Sequence, residues 1–307
     1  MQPLRGILLK IGAVLCFIGM STMIKLTSDR IPAGEQVFFR SVCALPVILA
    51  WIALKGQLRS GLKVKSPAAH FWRGLVGTTA MGCGFAALAF LPLPEQTALG
   101  YATPLLVVVF AAMFLNEKVG IFRISTVLVG LVGVMVVMVP QLTLSPEEAM
   151  NSAAPLGVLL VLFGAVCAAL AQIHIRNMVR VEQTSAIVFW FSSTATLLSL
   201  ATIPFGWVLP SGWEWVFLIS TGLIGGVGQI MLTSSYRFAD ASVVAPFDYA
   251  SMLFAILIGY TVFGDVPTLQ TLVGAAIIIC AGVVIILRER HLGLLRGQAR
   301  EAKTPHG

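Results

Sequence analysis

Apolar residues in this chain come in long continuous runs separated by short polar or charged breaks. Ten runs stand out, at about 6–25, 36–54, 71–91, 95–115, 121–139, 156–175, 185–206, 213–235, 241–262 and 268–287. Each approaches the roughly 20 residues that an α-helix needs to cross the hydrocarbon core of a bilayer. The runs are continuously apolar and do not alternate, which excludes a transmembrane β-barrel. The expected fold is therefore an all-α membrane protein with ten transmembrane helices. The first run, Gly6 to about Ile24, is too long for the core of a signal peptide, and no small-residue cleavage site follows it. It reads as the first span.

Composition sharpens this picture. Of 307 residues, 58% are hydrophobic and only 11% charged, against roughly 25% charged in soluble domains. A soluble enzyme, a secreted disulfide scaffold and a disordered chain are all excluded. Lys and Arg set the orientation. With both termini in the cytoplasm, the inner segments hold Arg5, Lys10, Lys55, Arg59, Lys63, Lys65, Arg73, Lys118, Arg123, Arg176, Arg180, Arg237, Arg288, Arg290, Arg296, Arg300 and Lys303. The outer side keeps Lys25, Arg30 and Arg40. The net charge of +7 then belongs to a face next to anionic lipid, with no nucleic acid needed. The five cysteines lie inside apolar runs without metal-ligand spacing, so neither a metal nor a cofactor is expected.

The chain also repeats itself. At an offset of 151, Gly6-Ile7-Leu8-Leu9 meets Gly157-Val158-Leu159-Leu160, Cys16 meets Cys167, Lys25 meets Arg176 and Phe38 meets Phe189. At an offset of 148, Tyr101-Ala102-Thr103 meets Tyr249-Ala250-Ser251, and Glu117 meets Asp265. Residues 1–139 form one half, 140–155 an outer linker, 156–287 the second half and 288–307 a basic cytoplasmic tail. Five spans per half is an odd number, so the second half crosses the membrane in the opposite sense. Such inverted repeats mark secondary transporters, with the substrate site near the midplane between the halves.

The segment 91–105, running on to Phe114-Leu115-Asn116-Glu117-Lys118, resembles the fourth span of an EamA-type repeat. Its partner is 240–249, running on to Phe263-Gly264-Asp265. With Phe38-Phe39-Arg40 and His70-Phe71-Trp72-Arg73-Gly74, these segments make the chain similar to the drug/metabolite transporter superfamily. The resemblance implies a ten-helix inverted repeat in a bacterial inner membrane. Spans one to four and six to nine would surround a central cavity for a small-molecule substrate. Spans five and ten would sit at the side, in a homodimer contact. Within the superfamily the overall likeness is greatest to bacterial riboflavin uptake proteins, then to S-adenosylmethionine uptake proteins. Riboflavin uptake is the expected activity. The alternative is transport of S-adenosylmethionine, an amino acid or a related metabolite.

Candidate site residues follow from the cost of polar groups in lipid. Asp248 lies about eight residues into span nine and could bind a cation or carry a coupling proton. Its structural alternative is a local pair. Arg40 could attract an anionic substrate, or pair with Glu35 or Asp29. Lys25 reads as an interface marker and a cap for helix C-termini, with contact to substrate as the alternative. Tyr101 and Tyr249, equivalent in the two halves, could stack on a planar ring or pack between helices. Gln96, Gln172 and Gln229 must find partners or water. Trp190 could face either lipid or the site. Trp51, Trp72, Trp207, Trp213 and Trp215 lie near span ends, as an interfacial belt does. Gly222 and Gly226 permit close helix contact, and Pro104 and Pro246 are expected kinks. No HExxH, GxSxG or Walker A pattern occurs, so an enzyme is not expected.

Overall fold

A computed structural model describes residues 3–58, 61–115, 121–142, 153–179, 181–238 and 245–301. Among these residues the secondary structure is helical, without strands. The elements are α1 (Pro3–Thr27), α2 (Ala33–Val42), α3 (Ala44–Leu54), α4 (Pro67–Leu88), α5 (Leu93–Gly100), α6 (Ala102–Leu115) and α7 (Ile121–Leu142). After these come α8 (Ala154–Met178), α9 (Thr184–Leu200), α10 (Trp213–Phe238), α11 (Ala250–Ile258) and α12 (Leu269–Glu301). Four helical stretches, Leu4–Thr27, Ala33–Leu54, Ala154–Ile175 and Trp213–Phe238, are long and apolar enough to cross a bilayer. Glu117 and the start of the ninth run, 241–244, lie outside the described residues.

Prolines break two of the runs, for a shared reason. A proline lacks the N–H that would bond the carbonyl four residues earlier. Pro46 is preceded by the α2–α3 break at Cys43, and Pro104 by the α5–α6 break at Tyr101. In the second half, Pro246 falls in a 3-10 turn, Ala245–Tyr249, that feeds α11. That helix ends in a π-turn, Gly259–Phe263, closed by Gly264 at φ 70°.

The helices pair in a regular way. α1 runs along α10, α4 along α8, α7 along α12, and α2 against α9. Small residues set the close crossings. On α10, Gly222 lies against Cys43 and the Phe39 carbonyl, and Gly226 against Ala44. Gly133 of α7 and Gly274 of α12 meet backbone to backbone. The largest apolar cluster joins α5, α6, α7, α8, α11 and α12 and includes Leu99, Leu105, Val134 and Ile278. Large apolar side chains face outward, among them Leu128, Val132, Leu159 and Leu253, as suits a surface solvated by lipid.

Loops expected on one side do meet in space. At one end, Arg30 bonds the Leu209 carbonyl (2.6 Å) and Ser211 (2.8 Å) and pairs with Glu214 (3.3 Å). At the other, which carries the start of α1, Glu182 accepts from the backbone N–H groups of Lys65 (2.8 Å) and Ser66 (3.0 Å). It thereby anchors the first turn of α4, where Ser66 is the N-cap. We call these the far and near ends. Each has a cavity of about 460 Å³, the far one beside Asp29, Gln36 and Phe85, the near one beside Lys63, Glu182 and Arg237.

Candidate functional site

Two of the cations assigned to the inner face by charge counting are buried among the helices instead. Lys10 is 2% exposed and Arg73 is 5% exposed. The positive-inside pattern groups cations by distance along the chain, and both residues sit within a few positions of a run's start. Helix rise carries them inward, and specific partners hold them there.

Lys10 on α1 makes an ion pair of 2.8 Å with Asp248 in the 3-10 turn. Its ammonium lies 5.4 Å from the centre of the Tyr236 ring on α10. The pair is lopsided: the Asp248 side chain remains 38% exposed. Asp248 is thus engaged by a protein cation in this conformation. Lys10 was legible as the only cation inside the first run before Lys25, but its partner lies 238 positions away and nothing in the pattern links them.

Tyr101 and Tyr249 meet each other. Their rings stand edge to face at 5.1 Å. The Tyr101 hydroxyl hydrogen-bonds Ser251 (2.8 Å) and donates to the Tyr249 carbonyl (3.3 Å). The Tyr249 hydroxyl is buried without a hydrogen-bond partner among the described residues, beside Gly282 of α12. Both rings belong to the apolar cluster around α7 and α12.

Arg40 and Arg73 converge on one ring. Arg40 descends from α2, which starts at the far end, and Arg73 rises from α4, which starts at the near end. Their Cζ atoms lie 5.5 Å and 4.0 Å from the centre of Phe191 on α9. Arg40 Nη2 donates weakly to Gln229 Oε1 (3.4 Å), and Gln229 Nε2 reaches Thr233 (3.5 Å). Arg40 does not pair with Glu35, whose carboxylate accepts instead from the Val208 N–H (3.0 Å). Glycines make room for the guanidinium groups. A Cβ on Gly77 would collide with Arg73 Nη1 and Phe191, and one on Gly225 would come within 3.2 Å of Arg40 Nε.

The remaining candidates stand apart from this group. Lys25 donates to the Leu91 carbonyl (2.9 Å), at the end of α4, with a longer contact to Leu88 (3.5 Å). That is a cap on exposed carbonyls at a helix C-terminus. Trp190 donates to the Leu62 carbonyl at the near end (3.1 Å). Gln172 is half-buried on α8, and Gln96 on α5 faces Gly84 of α4. His70 contacts Glu182 at 3.6 Å. Lys55 at the same end stacks on Trp51 at 3.9 Å. Its ammonium is held below the usual lysine range by partial burial, then by repulsion from Arg237 and Arg5. Among the described residues no group of three or more His, Cys, Asp or Glu could hold a metal.

Comparison with known proteins gives this geometry a context. The pseudopaline exporter CntI of Pseudomonas aeruginosa is 29% identical over 281 residues, covering 91% of this chain and 95% of the exporter. An S-adenosylmethionine uptake transporter of Rickettsia felis is 27% identical over 269 residues, covering 87% of each chain. An uncharacterized transporter of Helicobacter pylori is 26% identical over 291 residues, covering 92% of this chain and 95% of that one. A solved crystal structure at 22% identity superposes with a TM-score of 0.65, covering 92% of this chain and 96% of the other, which speaks to the fold alone. The profile of the EamA-like transporter family matches residues 4–139 and again residues 155–288. The chain belongs to the EamA-like transporter family, and its relatives are named as transporters.

Proposed function

We propose that the protein is a secondary transporter, not an enzyme. It moves a small organic metabolite across a bacterial inner membrane by alternating access between two oppositely oriented halves of five spans. The observation that carries this reading is the meeting of symmetry mates. Arg40 and Phe191, which correspond at the offset of 151, stack on each other. Tyr101 and Tyr249, which correspond at 148, meet edge to face. A residue can touch its own mate only near the axis that relates the halves. The helix pairs support the same relation: α1 against α10 and α8 against α4 are one contact made twice, span one on eight and span six on three. An axis between two inverted halves is where a site can be exposed to either side in turn. The outward apolar faces of α7 and α12 suit lipid and a homodimer contact.

The relatives' names span uptake and export, so direction is read from experiment. Riboflavin binding would draw on Tyr101 and Tyr249 as a stacking pair. Those rings are filled by each other, and the buried arginines favour the amino-acid-like alternative, with S-adenosylmethionine as the first probe. The test is uptake of labelled S-adenosylmethionine and of labelled riboflavin into liposomes holding the purified protein, by counterflow from preloaded substrate. Counterflow of S-adenosylmethionine above empty liposomes is expected. Counterflow of riboflavin alone would restore the flavin reading, and none with either probe would count against transport of both.

A further inference from the structure

Arg40 and Arg73 form a cationic pair without a counter-charge among the described residues. Arg40 is 2% exposed and Arg73 is 5% exposed. On both, Nε and Nη1 are buried and have no hydrogen-bond partner among the described residues. No carboxylate among those residues lies within ion-pairing distance of either. Glu35, the expected partner of Arg40, accepts from the Val208 N–H instead. Hydroxyls of Ser41, Thr78 and Ser192, on the same three helices, are also buried without partners.

Physical cost makes this arrangement informative. A guanidinium taken out of water loses several kcal/mol of hydration unless a partner replaces it. A desolvated cation–π contact returns about 2 kcal/mol, less than that loss. The two cations share the Phe191 ring and repel each other. A single anion between them would neutralise the repulsion and satisfy the idle donors together. Guanidinium forks match the planar geometry of a carboxylate, with two parallel N–H···O bonds. Gly77 and Gly225 give the two guanidinium groups the room they occupy.

We propose that Arg40 and Arg73, both against the Phe191 ring, form a binding site for the carboxylate of an amino-acid-like metabolite. The site deepens the transport reading by naming the substrate class, and Arg73 is the residue that charge counting along the sequence had placed at the inner surface. Phe191 holds the two forks at a fixed separation, and Gln229 orients Arg40 from α10. The carboxylate therefore touches α2 and α4 of one half and, through Phe191 and Gln229, α9 and α10 of the other. A substrate held there binds the two halves to one another, which is what a transported ligand must do to favour an occluded state.

Binding is measured without transport, on the full chain in lipid nanodiscs, from the ligand-induced rise in the thermal unfolding midpoint. The probes are S-adenosylmethionine, its carboxyl methyl ester, riboflavin, and sodium acetate against sodium chloride at equal ionic strength. The acid is expected to bind roughly tenfold or more tightly than its ester, the worth of a lost charge-assisted bond pair. Acetate should stabilise more than chloride, and riboflavin should not distinguish wild type from variants. Arg73→Gln should erase both differences and Arg73→Lys should keep part of them. Equal binding of acid and ester, chloride matching acetate, no response to any carboxylate probe, or differences that persist in Arg73→Gln would each overturn the proposal. If Arg73→Gln does not fold, the acid–ester and acetate–chloride comparisons on wild type decide. Counterflow of a probe whose ester competes equally would sink this site and leave the transport reading intact. Carboxylate-dependent binding without counterflow would do the reverse.

Discussion

Asp248→Asn is a sharp test of the packing around the 3-10 turn. At 2.8 Å, a unit-charge pair attracts by about 6 kcal/mol at an effective dielectric of about 20. The desolvation of the two ions opposes most of that. Taking away the carboxylate charge leaves Lys10 with the opposing part alone, since it is 2% exposed and cannot rehydrate in place. Removing one partner of a buried pair costs about 3–5 kcal/mol. Here the expected loss is about 2–4 kcal/mol, because Asp248 is itself 38% exposed and partly screened. The converse substitution is milder. Lys10→Met leaves a carboxylate that water can reach, with an expected loss below about 1.5 kcal/mol. In the double variant Lys10→Met/Asp248→Asn no buried charge remains at this pair, and most of the stability lost in Asp248→Asn should be regained. The assay is a double-mutant cycle on reversible unfolding in mixed detergent micelles, with thermal midpoints in nanodiscs as a second readout. Equal losses for the two single variants, or simple additivity in the double, would refute the argument that Lys10 is held by Asp248 in a dry site.

Other substitutions test other joints of the structure. Gly274→Val should destabilise the α7–α12 crossing by about 1–3 kcal/mol, because an added Cβ would sit 2.6 Å from the Gly133 carbonyl; the midpoint of thermal unfolding reads this directly. Tyr101→Phe removes a bond to Ser251 and should cost about 1 kcal/mol, whereas Tyr249→Phe removes a buried hydroxyl without a partner and should be neutral or stabilising. An unfolding comparison with the opposite order would contradict the geometry of that pair. Glu182→Gln should loosen the start of α4 by about 1–2 kcal/mol, seen as faster amide exchange at 65–70. Sidedness has its own test: on a background without the native cysteines, Ser211→Cys should react with an impermeant maleimide in intact cells and Lys63→Cys only after permeabilisation.

How far the site could be read in advance varied with the residue. Lys25 was expected as a helix-end cap, and it binds the carbonyl of Leu91 near the end of α4. Gly222 and Gly226 were expected to allow close approach, and they do so against Cys43 and Ala44. The kind of contact was legible from the residue type and its place on its helix, whereas the partner, on another helix in each case, was not. Trp190 was open between lipid and site, and its indole turns to the loop before α4. For Tyr101 and Tyr249, equivalence in the repeat was visible, but which way the two rings turn was not, since a repeat relates positions and not side-chain directions.

The sequence by itself determined the class of molecule, because hydrophobic length, low charge and the asymmetry of Lys and Arg are summed properties that need no contacts. It also marked Pro104 and Pro246 as places where a helix breaks, since a proline removes the same hydrogen bond wherever it stands, but not the break at Cys43 inside the second run. The duplication was likewise written along the chain. What only the tertiary structure decided is which buried charges are neutralised. Lys10 and Arg73 look alike in sequence, each a cation just inside an apolar run. One finds Asp248 at 2.8 Å and the other finds a ring and a second cation. That difference depends on how α1, α4 and α9 cross one another, and electrostatic energy falls off with distance through space, not along the chain.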